Sequence, residues 1–229
     1  MSLADEVDPQ PVLASETVYH GLVWDVRRDL VDLGVAGHVQ RDLVEHPGAV
    51  AVLALDEQDR IALVQQYRHP VGVREWEIPA GLLDLDGEDP LVTAARELAE
   101  EADLAAESWA VLLDYVTSPG FTDEAIRIYV ARGLSEIPPA ERHTRSGEEH
   151  GMSLCFVPLD EALEAVLSGR LHNPHTVIAI LSAQAFRSRG WAGLRPADSA
   201  WPQWERLHRP APRSAPPERG GDHGIQRQE

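Results

Sequence analysis

The segment at residues 89–104, DPLVTAARELAEEADL, limits the fold more than any other stretch of the chain. Asp89 followed by Pro90 is a helix start: an N-cap side chain, then a proline at the first helical position. The helix is expected to run to about Ala102. At roughly 100° per residue, Glu97, Glu100 and Glu101 fall within an arc of about 100°. Leu91, Ala95, Leu98 and Ala102 fall on the other side and are expected to pack on a sheet. Carboxylates at i, i+3 and i+4 repel one another and weaken an isolated helix. Arg96 on the flank relieves part of that repulsion, and a divalent cation would relieve more. Oxygen donors alone suit Mg²⁺ or Mn²⁺ better than zinc. The competing reading is a solvated acidic helix face, the usual fate of a charge run.

Composition removes several chemistries. All 20 basic residues are arginine, so a Walker-A lysine, a Schiff-base lysine and a pyridoxal-phosphate site are excluded. No GxGxxG follows a strand, and no GxSxG occurs. The single cysteine, Cys155, leaves no intrachain disulfide and no cysteine metal cluster. The acidic start lacks a secretory pattern and no apolar run approaches membrane-spanning length, so the expectation is a cytoplasmic protein without a membrane partner. A net charge of −18 disfavours nucleic acid as a partner. An anionic substrate then needs local arginines or bound cations.

Residues 1–14 read as a flexible tail. Residues 16–33 read as strand, the glycines Gly34 and Gly37 as a hairpin turn, and HVQRDLVEH as the returning strand, together a small N-terminal β subdomain over residues 15–47. A catalytic domain is expected over residues 48–194. It opens on AVAVLAL, an apolar run fit for a buried strand. WEIP, WAVLLDYVT, AIRIYVARG and SLCFVPL read as further strands, DEALEAVLSGR as a helix, and Asn173-Pro174 opens the last helix. Residues 138–150 read as a mobile loop. The Pro- and Arg-rich residues 195–229 read as a loose or disordered tail, although Trp191, Trp201 and Trp204 suggest that part of it packs. Strands and helices alternate without a βαβ rhythm, which favours an α/β (α+β) sandwich with a mixed sheet between helices.

The spacing around the acidic helix resembles the Nudix box: a glycine, a glutamate, a seven-residue gap, then Arg-Glu-apolar-any-Glu-Glu-any-Gly-apolar. Gly81, Glu88, Arg96, Glu97, Leu98, Glu100, Glu101 and Leu104 match. Two positions depart from it. Six residues, not five, separate Gly81 from Glu88, and Asp103 stands in place of the closing glycine. The extra residue sits beside the turn pair Asp86-Gly87. The closing glycine is expected to be a helix C-cap with positive φ, a conformation that aspartate enters more readily than most residues. The stretches GAVAVLAL, QQYRHPVG, WEIPAGLLD and SPGFTDE, with Pro119 15 residues past Leu104, look like the ADP-ribose pyrophosphatase branch of the family, actinobacterial type.

The resemblance implies a Nudix-type α/β/α sandwich and hydrolysis of ADP-ribose to AMP and ribose 5-phosphate. The alternatives are another nucleoside diphosphate derivative such as a nucleotide sugar, or a module that binds ADP-ribose without cutting it. It implies Mg²⁺ (or Mn²⁺) held by Glu97, Glu100, Glu101 and the backbone carbonyl of Ala80, with Gly81, Glu88 and Arg96 supporting the box. A general base is implied in RSGEEHGM, residues 145–152: Glu149, with Glu148 the alternative and an ordinary acidic loop the competing reading. Arg41 and Arg68 are the implied substrate arginines, each with pairing to one of the many acids as the other reading. Trp24 or Tyr19 are weaker candidates for stacking on adenine, and Phe121 for shaping the site. His172 and His175 flank a helix start and suit a capping or surface role better than metal ligation. Relatives of this branch are homodimers whose N-terminal sheet reaches the other subunit, so a homodimer is the implied assembly.

Overall fold

The computed structural model describes residues 3–85, 87–145 and 151–208. Its centre is β4 (Ala49–Ala54), whose six residues are all buried. Side chains alternate across a strand, and here each set finds its own layer. Val50, Val52 and Ala54 pack with Ala94, Leu98 and Ala102 of α1 (Pro90–Ala102). Ala49, Ala51 and Leu53 pack with Ala162 of α2 (Leu159–Leu167) and with Ala179, Ile180 and Ala183 of α3 (Pro174–Arg187). A strand buried on both faces reads as a continuous apolar run, as AVAVLAL does.

β4 lies in a five-stranded mixed sheet with β7 (Ala80–Leu82), β8 (Leu104–Val116), β9 (Ala125–Glu136) and the short β11 (Arg195–Pro196), in the order β11-β8-β9-β4-β7. β4 and β9 run parallel; the other pairs are antiparallel. A second, antiparallel sheet has the order β10-β5-β6, from β5 (Arg60–Arg68), β6 (Val73–Glu77) and β10 (Ser153–Pro158). The expected α/β/α sandwich with a mixed sheet is therefore the observed architecture.

The N-terminal region is a three-stranded antiparallel sheet of β1 (Val12–His20), β2 (Asp25–Asp32) and β3 (His38–Glu45). The expected single strand over residues 16–33 is in fact two strands. The chain turns between them at Gly21, where a Cβ would lie 2.2 Å from the carbonyl oxygen of Trp24. β1 begins at Val12, inside the segment expected to be a tail, because the Asp32 N–H reaches the Pro11 carbonyl (2.9 Å) and continues the pairing. The sheet joins the sandwich through the Val44 N–H on the Phe121 carbonyl (2.8 Å) and the His46 N–H on the Asp123 carboxylate (2.8 Å).

The C-terminal segment corrects the loose-tail expectation as far as residue 208. Arg127 on β9 is 2% exposed and pairs with Asp114 at 2.8 and 3.0 Å. It also donates to the carbonyls of Ser199 (2.7 Å) and Ala200 (3.1 Å) and lies 4.8 Å from the Trp201 ring. Trp201, itself buried, stacks on Trp204 of α4 (Pro202–Leu207), and the Trp204 indole donates to the Pro47 carbonyl (3.0 Å). One buried arginine thus satisfies a carboxylate and two backbone carbonyls that composition alone could not pair. Removing Arg127 would leave Asp114 with Arg195 alone (2.8 Å) and take the buried donor from the Ser199 and Ala200 carbonyls. Arg127→Met is therefore expected to cost about 3–5 kcal/mol, read from the urea midpoint. An unchanged midpoint would mean that the C-terminal segment is not fastened through this residue.

Candidate active site

Three elements build the site. β6 contributes Glu77, β7 contributes Ala80 and Gly81, and α1 presents its carboxylates to them. Glu97 and Glu101 are 8% and 7% exposed, so the acidic face is not a solvated one. This shifts the buried side of α1. Ala94 is fully buried, whereas Ala95, expected in the core, is exposed. The helix is covered both by the sheet and along its glutamate edge, and Ala95 lies beyond that arc.

Gly81 explains itself by contact. A Cβ on it would fall 2.1 Å from the Glu97 Cδ and Oε1 and 2.4 Å from Cγ. Only a residue without a side chain lets the Glu97 carboxylate lie over β7. One residue earlier, the Ala80 N–H donates to Glu101 Oε2 at 3.0 Å. The implied role of Ala80 is through its carbonyl; the contact present here is through its amide.

The Glu101 carboxyl is pushed up to about 8, first by burial and further by the Glu97 and Glu77 charges. The Ala80 N–H and Arg68 oppose that shift. Glu77, 1% exposed, is held by both arms of Arg68 at 2.7 and 2.6 Å. Arg96 gathers the rest, reaching Glu97 (2.7 Å), Glu88 (3.1 Å) and Glu100 (3.3 Å). Thr93 donates to Glu88 at 2.8 Å, and with Arg96 it holds that carboxylate below the usual range.

Among the described residues, no three carboxylate, imidazole or thiolate groups converge on one point as a closed metal shell. The ion pairs account for this: Arg96 engages Glu97 and Glu100, and the Ala80 amide engages Glu101. The donor chemistry nonetheless fits a hard divalent cation. All donors are oxygen, they crowd into one buried place, and a space that a Cβ would fill is kept clear for one of them. A cation would compete with Arg96 for Glu97 and Glu100 and with a proton for Glu101.

Both ends of α1 are capped. The Asp89 carboxylate accepts from the Leu91 N–H (2.8 Å), as an N-cap does. Asp103 adopts φ 55°, ψ 34°, the left-handed conformation expected of the residue in the glycine's place. Its N–H bonds back to the Ala99 carbonyl at 3.1 Å.

The implied substrate residues do not all meet. Arg41, Phe121 and Pro119 line one cleft of about 780 Å³, together with Gln203 and Arg206 of α4. Trp24 lines an adjoining cleft of about 630 Å³ with His46 and His208. Arg27, Asp123 and Leu207 border both. Arg68 sits instead in the carboxylate cluster, paired with Glu77, and Tyr19 is exposed on β1. Glu148 and Glu149 lie outside the described residues. His172 is exposed, but His175 is not a surface residue: the Tyr115 hydroxyl lies 2.6 Å from its Nδ1, and burial lowers the imidazole to about 4. Sequence reasoning missed Glu77, whereas the helix start it placed at Asn173-Pro174 is the observed one, the Asn173 side chain accepting from the Thr176 N–H at 3.1 Å. The clue for Glu77 was a charged residue inside the otherwise apolar run WEIP.

The mixed-sheet sandwich and the glycine-backed carboxylate helix define the class. Residues 45–177 match the NUDIX domain, and the chain belongs to that family. It is 45% identical over 189 residues to an ADP-ribose pyrophosphatase of Mycobacterium tuberculosis, covering 82% of this chain and 89% of that protein. It is 40% identical to the methanol dehydrogenase activator of Bacillus methanolicus (75% of this chain, 90% of that one) and 36% identical to an ADP-ribose pyrophosphatase of Bacillus subtilis with the same coverage. Among solved structures, an ADP compounds hydrolase superposes with a TM-score of 0.68 at 18% identity, over 82% of this chain and all of the other, a likeness of fold.

If Gly81 is required by the Glu97 carboxylate, Gly81→Ala should leave the circular dichroism of the fold in place. It should raise the divalent-cation concentration for half-maximal activity by about 10-fold or more, the scale set by displaced metal-supporting groups. An unchanged metal requirement would show that Glu97 can do its work without this contact.

Proposed function

We propose that the chain is a divalent-cation-dependent pyrophosphohydrolase that cleaves ADP-ribose with water to AMP and ribose 5-phosphate. One observation carries the reading: buried Glu101 and Glu97 face Ala80 and Gly81 across the α1–β7 contact. An acidic pocket of this kind cannot hold a diphosphate without an intervening cation. The substrate follows from the names of the Mycobacterium tuberculosis and Bacillus subtilis relatives. No box carboxylate is lost, which favours catalysis over a binding-only module.

Glu97, Glu100 and Glu101 would hold the cation, with Mg²⁺ the expected ion. A bound divalent cation supplies positive charge to the diphosphate oxygens and makes a water more acidic. Arg96 and Glu88 keep the carboxylates in register, and the Arg68–Glu77 pair closes the cluster behind Glu101. Glu149 is the proposed general base, with Glu148 the alternative. Arg41 and Phe121 suit the nucleotide end of the substrate, since an arginine grips phosphate and an exposed aromatic stacks on a base. A second copy of the chain suits the N-terminal sheet: every residue of β1 is exposed, Val12, Leu13, Val18 and Tyr19 among them. No described helix is long and apolar enough to cross a membrane.

Purified protein with ADP-ribose and Mg²⁺ should release AMP and ribose 5-phosphate, faster than products from a panel of nucleotide sugars, and EDTA should stop it. Glu101→Gln should lower kcat at least about 100-fold with the fold intact. Faster cleavage of a nucleotide sugar would move the substrate assignment. Turnover indifferent to EDTA, or to Glu101→Gln, would contradict the metal reading.

A further inference from the structure

The last turn of α1 carries Glu100 and Glu101 but no basic residue of its own. Helix C-termini leave carbonyls without partners and carry partial negative charge, so a cation there is favourable. Arg145 supplies it from far along the chain. Its Nε donates to the Glu100 carbonyl (2.9 Å), and one terminal nitrogen donates to the Glu101 carbonyl (3.0 Å) and to Asp103 Oδ2 (2.8 Å). Arg142 approaches the same Asp103 oxygen at 3.9 Å. The bonded carbonyls belong to two of the residues proposed as cation ligands. The bonded carboxylate is the residue that replaces the glycine of the family pattern. A glycine could cap the helix but would offer Arg145 no carboxylate.

We propose that Asp103 and Arg145 form a clamp that fixes the last turn of α1 and thereby sets the position of the Glu100 and Glu101 side chains for the divalent cation. Both are positioning residues, and the proposal rests on the metal-dependent reading of this helix. The clamp is an ion pair, so its two charges largely cancel at the metal site. Its effect is therefore one of backbone placement. Asp103 brings this function at a small conformational cost, since its left-handed φ would be free of strain in glycine.

Mn²⁺ affinity of the substrate-free protein, measured by titration calorimetry, tests the clamp for Asp103→Gly, Arg145→Met and the double variant, with melting temperatures alongside. Each single variant should bind Mn²⁺ about 10-fold more weakly. The double variant should be no weaker than either single one, because the two residues act as a unit. Asp103→Gly keeps a well-tolerated C-cap, so it reports on the clamp even if Arg145→Met folds poorly. Opposite shifts in the two single variants, tighter for Arg145→Met and weaker for Asp103→Gly, would show that only their charges matter and would overturn the clamp. So would lowered melting temperatures with unchanged Mn²⁺ affinity. If the unaltered protein binds no Mn²⁺, the metal-dependent reading itself fails, and the clamp with it.

Discussion

The close approach of α1 to β7 is the contact on which the rest of the site depends. It places two glutamates where water is scarce, one over Gly81 and one against the Ala80 amide. Buried carboxylates cost several kcal/mol each unless they are paired, hydrogen-bonded or protonated. This protein uses all three remedies. Arg96 pairs Glu97, Arg68 pairs Glu77, and Glu101 keeps a proton further up the pH scale than a carboxyl normally does. The sandwich supplies the offsetting stability. Ala94, Leu98 and Ala102 of the same helix are packed against Val50 and Val52, so α1 cannot drift away from its own repulsive face.

This division of labour makes the helix two-sided in an unusual sense. Its apolar stripe holds it to the sheet, and its acidic stripe is also covered. Both of its ends are held, by Asp89 at the first turn and by Asp103 with Arg145 at the last. Outside this core, the C-terminal segment fastened by Arg127 and Trp204 reaches the junction at His46 and Pro47, where the N-terminal sheet meets the sandwich. α4 therefore borders the clefts that hold Arg41, Phe121 and Trp24.

Much of this was legible in the residues. The N-cap at Asp89, the buried strand at AVAVLAL, the glutamate spacing and the left-handed Asp103 all follow from local rules that act over a few positions. The errors share a cause, which is that long-range partners leave no local trace. Ala95 sits in the apolar arc of a helical wheel, but the arc moves once the glutamate edge is covered. For Arg68 the residues left substrate binding and pairing with an acid both open, and only the neighbouring strand supplies its partner, Glu77. The segment from Arg195 has the composition of a loose tail, yet as far as residue 208 it packs, because a buried arginine on β9 donates to its carbonyls. Gly21 divides what reads as one strand, since nothing in the Val- and Tyr-rich pattern marks the turn except that glycine.

In the proposed function the buried carboxylates await a cation, and Glu101 is where that can be tested. With its pKa raised to about 8, it is mostly protonated at pH 7 without metal, and a cation must displace that proton. Calorimetric titration of Mn²⁺ at pH 7 in two buffers of different ionisation enthalpy counts the protons released. Release should approach one proton per cation, fall away above pH 9 and be absent in Glu101→Gln. Binding with no proton release at pH 7 would contradict that reading, because Glu101 would then be either already ionised or not a ligand.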